Sequence, residues 1–121
     1  MASRTTTRSV YFIDALFVLV FCVIGRRSHG EAVDTAGLAE TATPFLMGTA
    51  IAAITSTYKR WPPLSIKPTG LVIWLSTLII GMLLRKAMSQ GTALSFVVVA
   101  SISLAILLLG WRLVARVLVR R

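Results

Sequence analysis

The chain reads as an all-α integral membrane protein, a four-helix bundle in one membrane domain covering residues 1–121. Three observations carry that reading. Hydrophobic residues make up 56% of the chain and charged residues only 14%, against about a quarter charged in a typical soluble domain. Three apolar runs are long enough for a ~30 Å hydrocarbon core at 1.5 Å per residue, and the second, whose clearly apolar part covers only 44–58, reaches that length if its helix begins near Ala36 rather than at Pro44. The basic residues stand at the ends of those runs rather than along a soluble face.

The first span runs over about 9–27. The polar, arginine-bearing start could pass for the n-region of a signal peptide. The apolar run that follows carries Asp14 and ends in Arg26-Arg27 with no small-x-small cleavage site, so the helix is read as retained. A polar connection, SHGEAVDTAG, follows at 28–37. The second span covers about 36–58 and is expected to kink at Pro44, which has no N–H for the helix ladder. Gly48, Ala52 and Ser56 recur every four residues, with Thr49, Ala53 and Thr57 as a parallel row. Such a small-residue face admits close backbone approach, which is how helices pack in lipid. Tyr58 to Pro63 forms a basic, proline-stiffened turn. The third span covers about 69–87, with Thr77 and Gly81 as a second small pair, and ends in Arg85-Lys86. After Ser89-Gln90-Gly91 the fourth span runs over about 92–110. Arg112, Arg116 and Arg120 then lie on one face of an amphipathic, interfacial segment over 111–121.

An even number of spans puts both termini on one side. Nine of the thirteen basic residues fall on that side and four, Arg26, Arg27, Arg85 and Lys86, on the other. The positive-inside rule then places both termini in the cytoplasm and the chain in the cell inner (plasma) membrane. Tyr11, Tyr58, Trp61, Trp74 and Trp111 fall near the cytoplasmic boundary, as an aromatic belt would. Net charge is +9. In a soluble protein that would point to nucleic acid; here the distribution points to the bilayer and its anionic lipids, with no nucleic-acid partner expected.

The chemically able residues gather at two places. Gly25 to His29 (GRRSH) closes the first helix, level with Arg85-Lys86. Arg26, Arg27, His29, Arg85 and Lys86 therefore form a cationic mouth on the face that should be poor in cations. One reading is capping, since cations suit helix C-termini. The other is binding of an oxyanion, a phosphate, carboxylate or lipid headgroup, for which arginine forks are suited. An ion pair from Glu40 to Arg26 or Arg85 would neutralise the cluster. The second place is Asp14, a carboxylate inside a membrane helix, costly unless partnered. Arg112 lies at matching depth and is the expected partner in an intramembrane ion pair; a proton- or cation-coupled site is the functional alternative. One Cys and one His are too few for a conventional metal, haem or iron–sulfur site. No catalytic constellation appears, so the chain is expected to be no enzyme and to need no cofactor.

Asp14, GRRSH at 25–29, Pro44-Phe45, Gly70, Trp74, Arg85 and Gly110-Trp111-Arg112 resemble an uncharacterised prokaryotic family of small four-helix membrane proteins, a domain of unknown function. The resemblance implies an integral membrane protein, supplies no activity, and marks Asp14, Arg26, Arg27, His29, Arg85 and Arg112 as the positions to test. A looser likeness is to the small multidrug resistance transporters, where Asp14 would match an early membrane carboxylate. Their carboxylate is a glutamate and their third helix bends at Gly-Pro, whereas here the third span has no proline.

Three functions are therefore expected. The first is a homo-oligomer that binds or moves a small anionic solute or lipid headgroup at the arginine cluster. The second is a non-catalytic accessory subunit of a larger membrane complex, touching it through Gly48, Ala52, Ser56 and the basic tail. The third is a proton-coupled exporter using Asp14.

Overall fold

The computed structural model describes residues 4–119. Arg120 and Arg121, the end of the expected amphipathic segment and two of the basic residues in the topology count, lie outside them. The helices are α1 (Arg4–Ser28), α2 (Thr35–Tyr58), α3 (Leu71–Ala87) and α4 (Leu94–Val119). All four are long and apolar enough to cross a membrane, and no strand occurs among the described residues. The protein is a multi-pass membrane protein. α4 continues without a break through Trp111, Arg112 and Arg116 to Val119.

Each helix buries a ridge of every fourth residue. On α1 the ridge is Val10, Asp14, Val18 and Cys22; on α2 it is Pro44, Gly48, Ala52 and Ser56. Thr69, Ile73, Thr77 and Gly81 form it on α3 and just before it, and Ala100, Leu104, Leu108 and Arg112 on α4. Residues four apart share a helix face, so these are the ridges that interdigitate. The outward faces are apolar too: Phe12, Leu16, Val20 and Ile24 on α1, and Leu75, Ile79 and Leu83 on α3, are exposed. That is the pattern of a helix with protein on one side and lipid on the other.

The tightest pair is α2 with α3. A Cβ on Gly48 would come within 2.5 Å of the Ser76 carbonyl oxygen, and one on Gly81 within 2.5 Å of the Phe45 ring. Glycine at both positions lets the helices close. Ser76 Oγ then donates to the Gly48 carbonyl at 2.7 Å, and the Thr49 and Thr77 hydroxyls pair at 2.7 Å. The small residues at 48, 52, 56, 77 and 81 thus serve packing inside the chain.

The ends of α1, α2 and α3 are built alike. After α1, the Glu31 N–H reaches the Arg26 carbonyl and the Gly30 N–H the Arg27 carbonyl, with Gly30 at φ +70°. After α3, Gln90 and Ser89 bond back to Arg85 and Lys86 in the same way, with Ser89 at φ +61°. Trp61 and Arg60 do so at the end of α2. These are Schellman closures, in which backbone N–H groups satisfy the last carbonyls. At the start of α2, Asp34 is the N-cap and accepts from the Gly37 N–H at 2.7 Å, a good residue for that position.

Pro44 lies within α2, as its place in the second span predicts. Without an N–H it leaves the Glu40 carbonyl unfilled in the ladder. The Gln90 side chain, from the α3–α4 connection, donates to that oxygen at 3.2 Å. A helix irregularity is tolerated in a membrane when the freed group finds a partner within the protein.

Candidate functional site

Two polar places sit at opposite ends of the bundle. At one end Asp14 and Arg112 meet, both with no solvent-exposed side-chain surface. Arg112 Nη1 and Nη2 donate to the two Asp14 oxygens at 2.7 and 2.8 Å. Nη1 also reaches the Leu108 carbonyl, and Nε the Pro63 carbonyl at 3.1 Å. The Trp111 indole N–H donates to Asp14 Oδ1 at 2.9 Å. The bidentate fork is the geometry guanidinium and carboxylate favour. This node ties α1, α4 and the turn after α2 together and leaves neither carboxylate oxygen unengaged. On the preceding turn of α1, Tyr11 Oη is buried without a hydrogen-bond partner among the described residues, as is Ser56 Oγ on α2.

At the other end a cavity of about 530 Å³ opens between the ends of α1 and α3 and the starts of α2 and α4. Arg26, His29, Glu31, Glu40, Arg85 and Gln90 supply its chemistry. Arg27 and Lys86 do not line it and are exposed. Adjacent helical residues point about 100° apart, so one member of each dibasic pair turns inward and the other away. The expected cluster of five therefore reduces to Arg26, His29 and Arg85.

The two inward arginines are held by the same device. Each sits at the carbonyl that its Schellman closure caps with backbone N–H, so neither guanidinium is needed as a helix cap. Each Nε instead reaches the loop carbonyl six residues on: Arg26 to Ala32 at 2.6 Å, Arg85 to Gly91 at 3.0 Å. Arg26 Nη1 donates to Thr41 Oγ1 at 2.9 Å and lies 3.8 Å from Glu31. Gly37 leaves room for this guanidinium against the first turn of α2. Arg85 Nη1 donates to Gln90 Oε1 at 2.9 Å. Its guanidinium carbon lies 4.5 Å from the Phe96 ring centroid and 6.0 Å from that of Phe45, within cation–π range.

The expected Glu40 ion pair does not form. Among the described residues Arg26 pairs with Glu31 instead, and Glu40 contributes only its backbone carbonyl, to Gln90. The proline opens that carbonyl, and Gln90 answers it while also holding Arg85. Gln90 is thus the residue of this site that motif reading missed. Its signal was indirect: a proline four residues beyond a carbonyl in a membrane helix calls for a donor from elsewhere.

Among the described residues no group of three or more His, Cys, Asp or Glu side chains could hold a metal ion. Cys22 is a buried free thiol within α1.

No curated protein and no solved structure matches this chain. A family described as a protein of unknown function (DUF3054) matches residues 11–115. That stretch holds both polar places, from Tyr11 and Asp14 through Arg112, and the chain belongs to this family.

Proposed function

We propose that this protein binds a small oxyanion, a phosphate or a phosphate-bearing headgroup, in the cavity at the Arg26/Arg85 end of the bundle. One observation carries the reading. Arg85 lines the cavity, is anchored through Nε and Nη1, and has no carboxylate within ion-pair distance among the described residues. A guanidinium whose capping duty is done by backbone, and whose orientation is set by a carbonyl, a glutamine and an aromatic face, is preorganised for an anion. The nine-to-four division of basic residues supports both termini on the cytoplasmic side of the inner membrane, with this cavity on the outer side.

The other two readings have less support. The exporter reading needs an Asp14 carboxylate open to exchange, and both oxygens are held by Arg112 and Trp111. The accessory reading takes Gly48, Ala52, Ser56 and the basic tail as contact surfaces; the first three are buried within the chain, and the end of the tail, Arg120 and Arg121, lies outside the described residues. Assembly as a homo-oligomer stays part of the proposal, since four helices alone enclose little space.

The test is thermal unfolding of the purified chain in mild detergent with added inorganic phosphate. Ligand at a hundredfold excess over Kd stabilises by about 2.7 kcal/mol. The wild type should gain stability with phosphate and Arg85→Gln should not. Equal shifts in both, or none in either, would refute the proposal.

A further inference from the structure

The charge arrangement of the cavity and an apolar groove beside it together specify more than an oxyanion. Arg26 and Arg85 are the cations of the lining and Glu31 and Glu40 its anions. Arg26 and Glu31 form an ion pair at 3.8 Å. One cation and one anion are left, Arg85 and Glu40, neither with an opposite charge within 4 Å among the described residues. Gln90 ties the Arg85 guanidinium to the main chain of Glu40, accepting from the one and donating to the carbonyl of the other, and both residues line the cavity. A plain anion would satisfy Arg85 and be repelled by Glu40; a plain cation would do the reverse. A zwitterion with a phosphate and an ammonium satisfies both.

The groove lies between α1 and α4. Asp14 and Arg112 clamp these two helices at the far end, and at the cavity end they part. The space is about 470 Å³ and is walled by Phe21, Ile24, Val99, Ser103, Ile106 and Leu107. It shares Phe21, Gly25, His29, Ser95 and Phe96 with the cavity, so the two are continuous. A Cβ at Gly25 would meet nothing within 4 Å, which leaves the passage between them open. From Ser95 to Leu107 the groove follows α4 for about 18 Å, more than half of a ~30 Å hydrocarbon core. Its walls are the depth and polarity of an acyl chain.

We infer that cavity and groove together seat one molecule of an aminophospholipid, with its phosphate at Arg85, its ammonium at Glu40 and one acyl chain along α1 and α4. The inference rests on the oxyanion reading above and names the ligand class for that same site.

The full chain, delipidated in detergent, would be titrated with phosphatidylethanolamine, phosphatidylglycerol and phosphatidylcholine and read by native mass spectrometry. Phosphatidylethanolamine should bind about tenfold tighter than the other two, the worth of one charge-assisted hydrogen bond. Glu40→Gln should bring phosphatidylethanolamine down to the phosphatidylglycerol affinity, and Arg85→Gln should weaken both. Val99→Trp, on the lipid-exposed wall of the groove, should weaken the lipid while soluble glycerophosphoethanolamine binds as before. Three lipids binding alike, or a preference that survives Glu40→Gln, would overturn the aminophospholipid and leave Arg85-dependent phosphate binding standing. Unchanged lipid affinity in Val99→Trp, or a protein dimer that Val99→Trp dissociates with no lipid retained, would overturn the groove's role. Loss of every Arg85-dependent effect, phosphate included, would overturn both readings.

Discussion

Replacing Asp14 with alanine should be among the most damaging single changes in this protein. Three N–H groups converge on its carboxylate at 2.7–2.9 Å, from Arg112 Nη1, Arg112 Nη2 and Trp111 Nε1. Both charged side chains have no exposed surface. Truncating the aspartate leaves a buried guanidinium facing the Pro63 and Leu108 carbonyls and the Trp111 ring, whose centroid is 5.1 Å from its carbon, with no carboxylate within ion-pair distance among the described residues. Removing one partner of a buried pair costs about 3–5 kcal/mol, mostly from the charge left behind. Arg112→Ala should cost less than Asp14→Ala, because a carboxylic acid can become neutral in place and a guanidinium cannot. In the double variant neither charge remains, so its loss should fall short of the summed single losses by roughly 2 kcal/mol or more. Reversible denaturation in detergent, followed by tryptophan fluorescence, measures all four corners of the cycle, and Trp111 reports directly on the node. Additive losses would refute the pairing, and equal losses in the two single variants would refute the argument that residual charge sets the cost.

The Pro44–Gln90 relation predicts a second cycle. Gln90→Ala gives up two hydrogen bonds in the native background, one to the Glu40 carbonyl and one from Arg85, and only the Arg85 bond is missed in a Pro44→Ala background, where residue 44 supplies the N–H that Glu40 lacks; its cost should therefore be about 0.5–1.5 kcal/mol larger in the native background, the same denaturation assay reads it, and equal costs would contradict the relation. Two glycines of α2 and α4 should part company. Gly48→Val drives a side chain into the backbone of α3 and should lose about 1–3 kcal/mol or more. Gly110→Ala meets nothing within 4 Å and should gain up to about 1 kcal/mol from helix propensity, both as shifts in Tm.

Much of the fold was legible because lipid imposes simple demands on a chain. Length and apolarity mark the spans, and a second helix running through Pro44 follows from the helix-compatible residues on both sides of it. Asp14 and Arg112 could be matched because opposite charges at one depth have few alternatives. The mouth was legible only in part. A dibasic pair says that cations stand at a helix end, but not which one turns inward, since that depends on the phase of the helix against its neighbours. Arg26 and Arg85 could therefore not be separated from Arg27 and Lys86. The Schellman closures that free those arginines are backbone events, and only Gly30 hints at one, because Ser89 and Arg60 adopt the same left-handed turn without glycine. Gln90 stayed hidden because its role exists only where a loop after the third helix meets a carbonyl of the second.

The node at Asp14 also constrains how the protein is made. The two residues that neutralise each other are 98 positions apart, one in α1 and one in α4. At about 5–20 residues per second, the carboxylate enters the membrane roughly 5–20 s before its guanidinium is synthesised. During that interval α1 has no permanent partner for Asp14, so the insertion machinery or a neighbouring chain must shelter it. The fourth helix then does more than complete the bundle: its arrival releases the first helix from that dependence, and a chain truncated before Arg112 would be left holding an unpaired charge in the membrane, a ready mark for quality control.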